Sequence, residues 1–299
     1  MNPLDAPATT PASFSGMVDL AEPRAAGYRR ITVDPLTPIL GAEISGVDLD
    51  SLDDETWGEI ERAFAEHLVV FFRDQHLSPE SHKALGRRLG ELHVHPAAPS
   101  LKGHPEIMII HADERSKVVA GNGWHTDVSC DERPPLGTIL YLTTLPPTGG
   151  DTMFASMYQA YDELSDTMKA FLTPLQAKHE SRHVYAGRYE TKEEDSRDGS
   201  FPESVHPVER THPVTGRKAL YVNRAFTTRI LGLSPLESRS LLDMLFTHQE
   251  NPKYQCRFRW RPNSVEMWDN RCAQHYAIWD YYPQVRSGLR VSVIGERPE

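Results

Sequence analysis

Cysteine is scarce: three residues in 299, at positions 130, 256 and 272, an odd count with no paired short spacing. That arithmetic speaks against a disulfide framework, and a reducing, cytoplasmic setting is expected. Cys272 and His275 form a C-x-x-H, but no second pair of comparable spacing is present to complete a structural zinc site. Long hydrophobic runs are also missing. Nothing approaches the roughly 20 apolar residues that span a bilayer, and the N-terminus lacks the basic-then-apolar order of a signal peptide. There is no excess of basic charge. The formal net charge of −10 argues against nucleic-acid or anionic-membrane partners. Neither a G-x-G-x-x-G nor a P-loop pattern occurs, so a nucleotide-binding Rossmann sheet is not expected.

Against these absences stands an ordinary globular composition, 39% apolar and 25% charged, in a chain long enough to bury a sizeable core. Residues 1 to about 27, rich in Ala, Pro, Ser and Thr, read as a flexible tail, with a single domain over 28–299. Asp53 is placed to cap a helix reaching about His67, and Ser78-Pro79 to start one ending near Leu89 and Gly90. Leu68–Phe72 is an apolar run of strand length, suited to burial on both faces. Further strands are expected at Ala42–Val47, Glu106–Ile110, Thr138–Thr143, Ala219–Val222, Gln255–Trp260, Val265–Trp268 and Leu289–Ile294. Two more helices are expected, at Tyr158 to about Leu172 and from Ser234-Pro235, with Glu237 closing a capping box, to His248. Many short strands with inserted helices predict a mainly β fold, a jelly roll. The charged stretch 186–205 reads as a surface loop or a lid over bound substrate.

Chemistry concentrates in two segments. Trp124-His125-Thr126-Asp127 is followed far downstream by Trp268-Asp269-Asn270 and His275, then by Arg286 and Arg290. Two imidazoles and a carboxylate on one face of a metal are the donor set of a non-haem Fe(II) oxygenase, which leaves positions for a chelating co-substrate and O2. Arginines just after the second histidine suit bidentate capture of carboxylate or sulfonate groups. Spacing alone does not single out His125/Asp127, because His111-Ala112-Asp113 repeats it. The flexible Gly121-Asn122-Gly123 segment favours the former, and an extended strand would turn His125 and Asp127 to one face. His111 then reads as a structural or surface histidine. For Arg290, inward-facing on an alternating strand, an internal ion pair is the rival to an anion site.

Taken together, these motifs resemble the taurine/2-oxoglutarate dioxygenase family, with its alkylsulfatase and aryloxyalkanoate-hydroxylating branches. The likeness runs from about Ile31 to Glu296. It includes Gly41–Leu49, Val69–Gln75, Trp124–Asp127, Gly149-Gly150-Asp151-Thr152, Thr211-His212-Pro213, Phe226–Arg229 and Trp268–His275. The resemblance implies a double-stranded β-helix with Fe(II) on His125, Asp127 and His275. It implies 2-oxoglutarate as co-substrate, its distal carboxylate met by Arg286 and Thr152, and O2 as oxidant. For the prime substrate it implies contacts from His95, Val128, Tyr185, Phe226 and Arg290. Gly121, Ala98 and Tyr185 depart from the asparagine, tyrosine and phenylalanine of taurine-binding members, which alters the amine end of that site. A small organic anion is expected, a sulfonate such as taurine first, an alkyl sulfate or aryloxyalkanoate second. A homo-oligomer, dimer or tetramer, is expected, with no nucleic-acid or membrane partner. The rival classes are a zinc hydrolase on the same triad and a metal-free jelly-roll binding module.

Overall fold

The computed structural model describes residues 27–95, 98–186 and 201–299. The expected tail, save Gly27, and most of the expected lid lie outside the described residues. The chain opens with the antiparallel pair β1 (Thr32–Pro35) and β2 (Ala42–Ser45). Helix α1 (Asp54–His67) is capped by Asp53, whose side chain accepts from the Thr56 N–H, and it buries Trp57, Ile60, Ala63 and Phe64 along one stripe. Leu68, at φ 65°, turns the chain straight into β3 (Val69–Phe72). Helix α2 (Pro79–Leu89) starts on Ser78 with proline in its first turn, as the sequence signals.

Four strands follow: β4 (Leu92–His93), β5 (Ser100–Leu101), β6 (His104–Ala112) and β7 (Pro135–Thr144). After β8 (Thr152–Ser156) come α3 (Met157–Asp162) and α4 (Asp166–Leu172). The sequence suggested one helix here. Ser165, extended and accepting from the Met168 N–H, starts a second one instead. Then come β9 (Gln176–Glu180), α5 (Arg182–Tyr185), β10 (Glu203–Pro207), β11 (Glu209–Thr211), β12 (Lys218–Leu220) and β13 (Thr227–Ile230). Glu203–Val205, expected in the polar loop, therefore belong to a strand, paired with β9. Helix α6 (Pro235–Gln249) carries the full Ser234/Glu237 capping box. The last strands are β14 (Gln255–Phe258), β15 (Ser264–Asp269), β16 (Ala273–Ala277) and β17 (Arg286–Ile294).

The large sheet has the order β1-β2-β3-β15-β7-β17-β6-β5, with β4 beside β17, and a smaller sheet has the order β14-β8-β16. The period-2 alternation of the large sheet divides its side chains between two cores. Val70, Phe72, Ile139, Tyr141, Val265 and Met267 meet Trp57, Ile60, Ala63 and Phe64 of α1 on the outer face. Val69, Phe71, Leu140, Leu142 and Trp268 meet Phe154, Cys256, Phe258 and Ala273 of the small sheet on the inner face. Phe71 stacks on Phe258 with ring centroids 3.9 Å apart. Two sheets closed over one apolar layer make the jelly roll that the strand spacing suggested. β3, covered on both sides, shows why Leu68–Phe72 has no polar position.

Candidate metal and co-substrate site

Between the two sheets the apolar layer gives way to a cavity of about 370 Å³. All ten residues singled out in the sequence line it: His95, His125, Asp127, Val128, Thr152, Tyr185, Phe226, His275, Arg286 and Arg290.

His125 and His275 are joined by backbone before their side chains meet. Each N–H donates to the other's carbonyl, at 3.1 Å from His125 and 2.8 Å from His275. This isolated antiparallel bridge brings the ring centroids to 4.0 Å. Asp127 follows in a turn, not in the strand that the H-x-D spacing suggested. The shared orientation of His125 and Asp127 comes from this bridge and the turn after it. The Gly123 carbonyl lies 2.8 Å from His125 Nδ1, so that nitrogen must donate, and Nε2 keeps its lone pair for a metal. Gly121, at φ +83°, packs so close that an added Cβ would sit 3.2 Å from His125 Cε1.

Asp127 Oδ1 lies 3.9 Å from His125 Nε2 and 3.8 Å from His275 Nε2. All three donor atoms fall within 4.8 Å of one another. The other carboxylate oxygen, Oδ2, accepts from the Thr138 hydroxyl at 2.8 Å, with Asn270 Nδ2 at 3.5 Å. Asn270 is itself held by the Trp268 indole N–H at 2.9 Å. One oxygen is thus left toward the imidazoles while the other is tied back. Burial alone would raise the Asp127 carboxyl, but Arg290 and the two imidazoles outweigh it and hold it below its ordinary value. Burial pulls His125 down and His275 well below the usual imidazole value, so both stand as neutral ligands. His275 Nδ1 is buried with no hydrogen-bond partner among the described residues. Two neutral imidazoles and one ionised carboxylate around a common point fit a divalent iron site.

Arg286, also buried, donates from Nε to the Gly150 carbonyl at 3.0 Å, and its Nη2 lies 3.5 Å from Thr152 Oγ. The Trp260 indole N–H fixes the same hydroxyl at 2.9 Å. Gly150 adopts φ +72°, and a Cβ there would lie 3.2 Å from Arg286 Cδ. The paired glycines therefore let the turn come up against the guanidinium. Elsewhere in the cavity Val128, a β-branched residue at φ 44°, packs with Tyr185 and Phe226. The Ala98 N–H donates to His95 Nδ1 at 2.9 Å, which puts the histidine's proton on Nε2.

Residues 32–292 match the family described as "Taurine catabolism dioxygenase TauD, TfdA family". The chain belongs to this family. Among curated relatives of this TauD/TfdA protein, the alpha-ketoglutarate-dependent sulfonate dioxygenase of Saccharomyces cerevisiae is 36% identical, over 90% of this chain and 68% of the relative. The alpha-ketoglutarate-dependent sulfate ester dioxygenase of Pseudomonas putida is 35% identical, over 90% of this chain and 91% of the relative. The crystal structure of a taurine dioxygenase from Burkholderia xenovorans superposes with a TM-score of 0.78 at 35% identity, covering 90% of this chain and 93% of that one. The protein is thus an enzyme of a dioxygenase family, and the zinc-hydrolase reading finds no support.

The chain's other two candidate groupings, the second His-x-Asp and the C-x-x-H, have partners of their own. His111 is exposed on β6, 3.5 Å from Asp113 and with Ser287 as its other partner; it is not among the residues that line the cavity. Cys272 gathers with His212 and Asp269, not with the neighbour three residues on. Those groups are already engaged: His212 Nε2 lies 3.0 Å from Asp269 Oδ2, and its Nδ1 accepts from the Val214 and Thr215 N–H groups. Arg271 donates to both Asp269 oxygens, at 2.9 and 2.7 Å. This cluster braces the turn after β11 against the β15–β16 connection. Sequence reasoning assigned no role to Thr138, Asn270, Trp260 or Glu266. The last shows in the sequence as an acid set between Val265 and Met267, in a strand buried at every position.

Proposed function

We propose that this protein is an Fe(II)- and 2-oxoglutarate-dependent dioxygenase that hydroxylates a small organic anion. The observation that carries the reading is one cavity lined by two neutral imidazoles, an ionised carboxylate and two arginines of separate surroundings. His125, Asp127 and His275 would hold the iron. Bound there, Fe(II) supplies the coordination positions for the keto acid and for O2, and the oxidising power of the reaction. Arg286 and Thr152 would take the distal carboxylate of 2-oxoglutarate, since a buried guanidinium with a free face needs an anion to meet it. Trp260 keeps the Thr152 hydroxyl oriented, and Gly150 keeps Arg286 extended toward the cavity.

Arg290 and the Nε2–H of His95 would bind the anionic head of the prime substrate. Val128, Tyr185 and Phe226 would hold its carbon skeleton and keep water from it. A sulfonate such as taurine is the first candidate and an alkyl sulfate or aryloxyalkanoate the second, in line with relatives named for sulfonates and for sulfate esters. Hydroxylation on the carbon next to the sulfonate or ester oxygen gives a product that falls apart, with sulfite as the released group in the sulfonate case. Cys130, Cys256 and Cys272 are all buried free thiols, which supports the cytoplasmic setting. No helix among the described residues is long and apolar enough to cross a membrane. A homo-oligomer, dimer or tetramer, completes the reading.

The test is succinate release with ferrous iron, O2 and 2-oxoglutarate across a panel of sulfonates, sulfate esters and aryloxy acids. Substrate-stimulated succinate is expected from one class. Turnover that persists without O2 and without the keto acid would refute the assignment.

A further inference from the structure

The inner face of β15 carries Ser264, Glu266 and Trp268 in alternation, and Glu266 stands across from Leu140 of β7 and Phe71 of β3. Leu140, Trp268 and Glu266 all line the cavity that holds the metal-binding triad and Arg286. Glu266 is 0% exposed, and among the described residues neither of its carboxyl oxygens has a hydrogen-bond partner. A buried carboxylate in that condition is costly, and one that persists in a site points to a ligand that completes it. The charged groups that act on it are Arg286 of β17 and Arg73 just after β3, with the Cys256 thiol of β14 also near. Neither arginine is hydrogen-bonded to it: Arg73 donates to Glu43, the Arg259 carbonyl and Ser264, and Arg286 donates from Nε to the Gly150 carbonyl and from Nη2 toward Thr152.

We propose that Glu266 is a co-substrate selectivity residue, a neutral carboxyl that donates its O–H to the distal carboxylate of the bound keto acid beside Arg286. This rests on the reading of Arg286 as the 2-oxoglutarate anchor. A second negative charge at the arginine end of the cavity would repel the carboxylate that Arg286 attracts, whereas a protonated acid adds a donor there. Burial pushes Glu266 well above the ordinary carboxylate value despite the two arginines, which agrees with a proton held at neutral pH. The proton stays on the shared O–H···O contact; no covalent bond changes. A keto acid of the same length that ends in a methyl group offers nothing to accept this hydrogen bond.

The experiment is anaerobic calorimetric titration of the Mn(II)-loaded protein with 2-oxoglutarate and with 2-oxopentanoate, for wild type, Glu266→Gln and Glu266→Leu. The amide still donates, so Glu266→Gln should bind 2-oxoglutarate within a fewfold of wild type. Glu266→Leu keeps the bulk and removes an unsatisfied polar group, so its thermal midpoint should rise. Yet its affinity for 2-oxoglutarate should fall by about tenfold or more, as befits a lost hydrogen bond to a charged group, while 2-oxopentanoate is unaffected. Infrared difference spectra between wild type and Glu266→Gln should show a protonated carboxyl band. Tighter 2-oxoglutarate binding by Glu266→Leu, equal loss of both keto acids, or a carboxylate band in place of the acid would each overturn the role of Glu266. If wild type itself fails to bind 2-oxoglutarate, the Arg286 anchor falls first and this inference with it.

Discussion

Arg290 donates from Nη1 to Asp127 Oδ1 at 2.8 Å, the same oxygen that faces both imidazoles of the triad. The cation assigned to the substrate's anionic head therefore also holds the carboxylate assigned to the metal. The proposed metal and substrate sites share a group, and a cation on Asp127 would take over part of the charge that Arg290 now answers. An anion at Arg290 should accordingly bind more tightly to metal-loaded than to metal-free protein. Arg290→Ala should raise half-saturation for the prime substrate by on the order of 10²-fold, the cost of removing one partner of a desolvated charge pair, with 2-oxoglutarate little changed. Steady-state succinate kinetics on both substrates decide it. An effect confined to the keto acid would exchange the roles of Arg290 and Arg286.

Thr138 deserves the same test from the other side of Asp127. Its hydroxyl holds Oδ2 at 2.8 Å, which turns Oδ1, the oxygen that Arg290 also holds, toward the two imidazoles. Thr138→Val keeps the shape and removes the donor, so the carboxylate can swing. Metal affinity should drop about 10- to 100-fold, the usual range for an outer partner of a ligand, with the melting transition little altered. Asp127→Ala is the limiting case: iron-dependent succinate formation should vanish. Chelator competition measures the first and coupled succinate assay the second. Unchanged iron affinity in Thr138→Val would overturn the orienting role of Thr138 and leave it to Arg290 and Asn270.

How much of this could be read without coordinates depended on where the signal resided. Capping residues Asp53, Ser78 and Ser234 act within one turn of chain, and the helices they start are where they were expected. The continuous run Val69–Phe72 revealed a strand buried on both sides. β8 and β16, which carry Thr152 and His275, were not recognised as strands. Ala273–Ala277 alternates weakly because Gln274 is buried by hydrogen bonds, to the Val222 carbonyl among others, and its pairing partner lies far off in sequence. The ten candidate side chains could be named because their order along the chain matched a family pattern. Of the groups that orient them, Thr138 and Trp260 act through single hydrogen bonds to residues distant in sequence, which no local pattern encodes, whereas the Gly123 carbonyl acts on His125 from two residues before it.

The Arg286 end of the cavity makes a graded prediction. Arg286→Ala strands the co-substrate's carboxylate and should weaken 2-oxoglutarate by a few kcal/mol. Trp260→Phe keeps a ring beside the guanidinium, 5.6 Å away in the native protein, but loses the N–H that fixes Thr152. It should raise half-saturation for 2-oxoglutarate only severalfold, about 1 kcal/mol, with the prime substrate unaffected. Equal losses for the two variants would contradict the assignment of Arg286 as the anchor and Trp260 as its support.

Acid sensitivity should trace in part to a histidine that does not line this cavity. His82 of α2 is fully buried, and its Nε2 lies 3.1 Å from the Ile139 carbonyl of β7. Burial depresses it from 6.5 to about 4, against a smaller opposing effect of the Ile139 bond. Between those two values the unfolded chain binds a proton that the folded one refuses, so stability is full above about pH 6.5 and declines as pH falls toward 4. At pH 5 this one group costs about 2 kcal/mol relative to pH 7, by the same linkage. His179, buried and depressed to about 3, acts in the same direction. His82→Gln can keep a donor to Ile139 without titrating. Urea unfolding at pH 7 and pH 5 should therefore show a smaller loss in the variant than in wild type, by roughly that amount. An identical pH decrement in both proteins would mean that His82 already carries its proton in the folded state, or that another group governs acid unfolding.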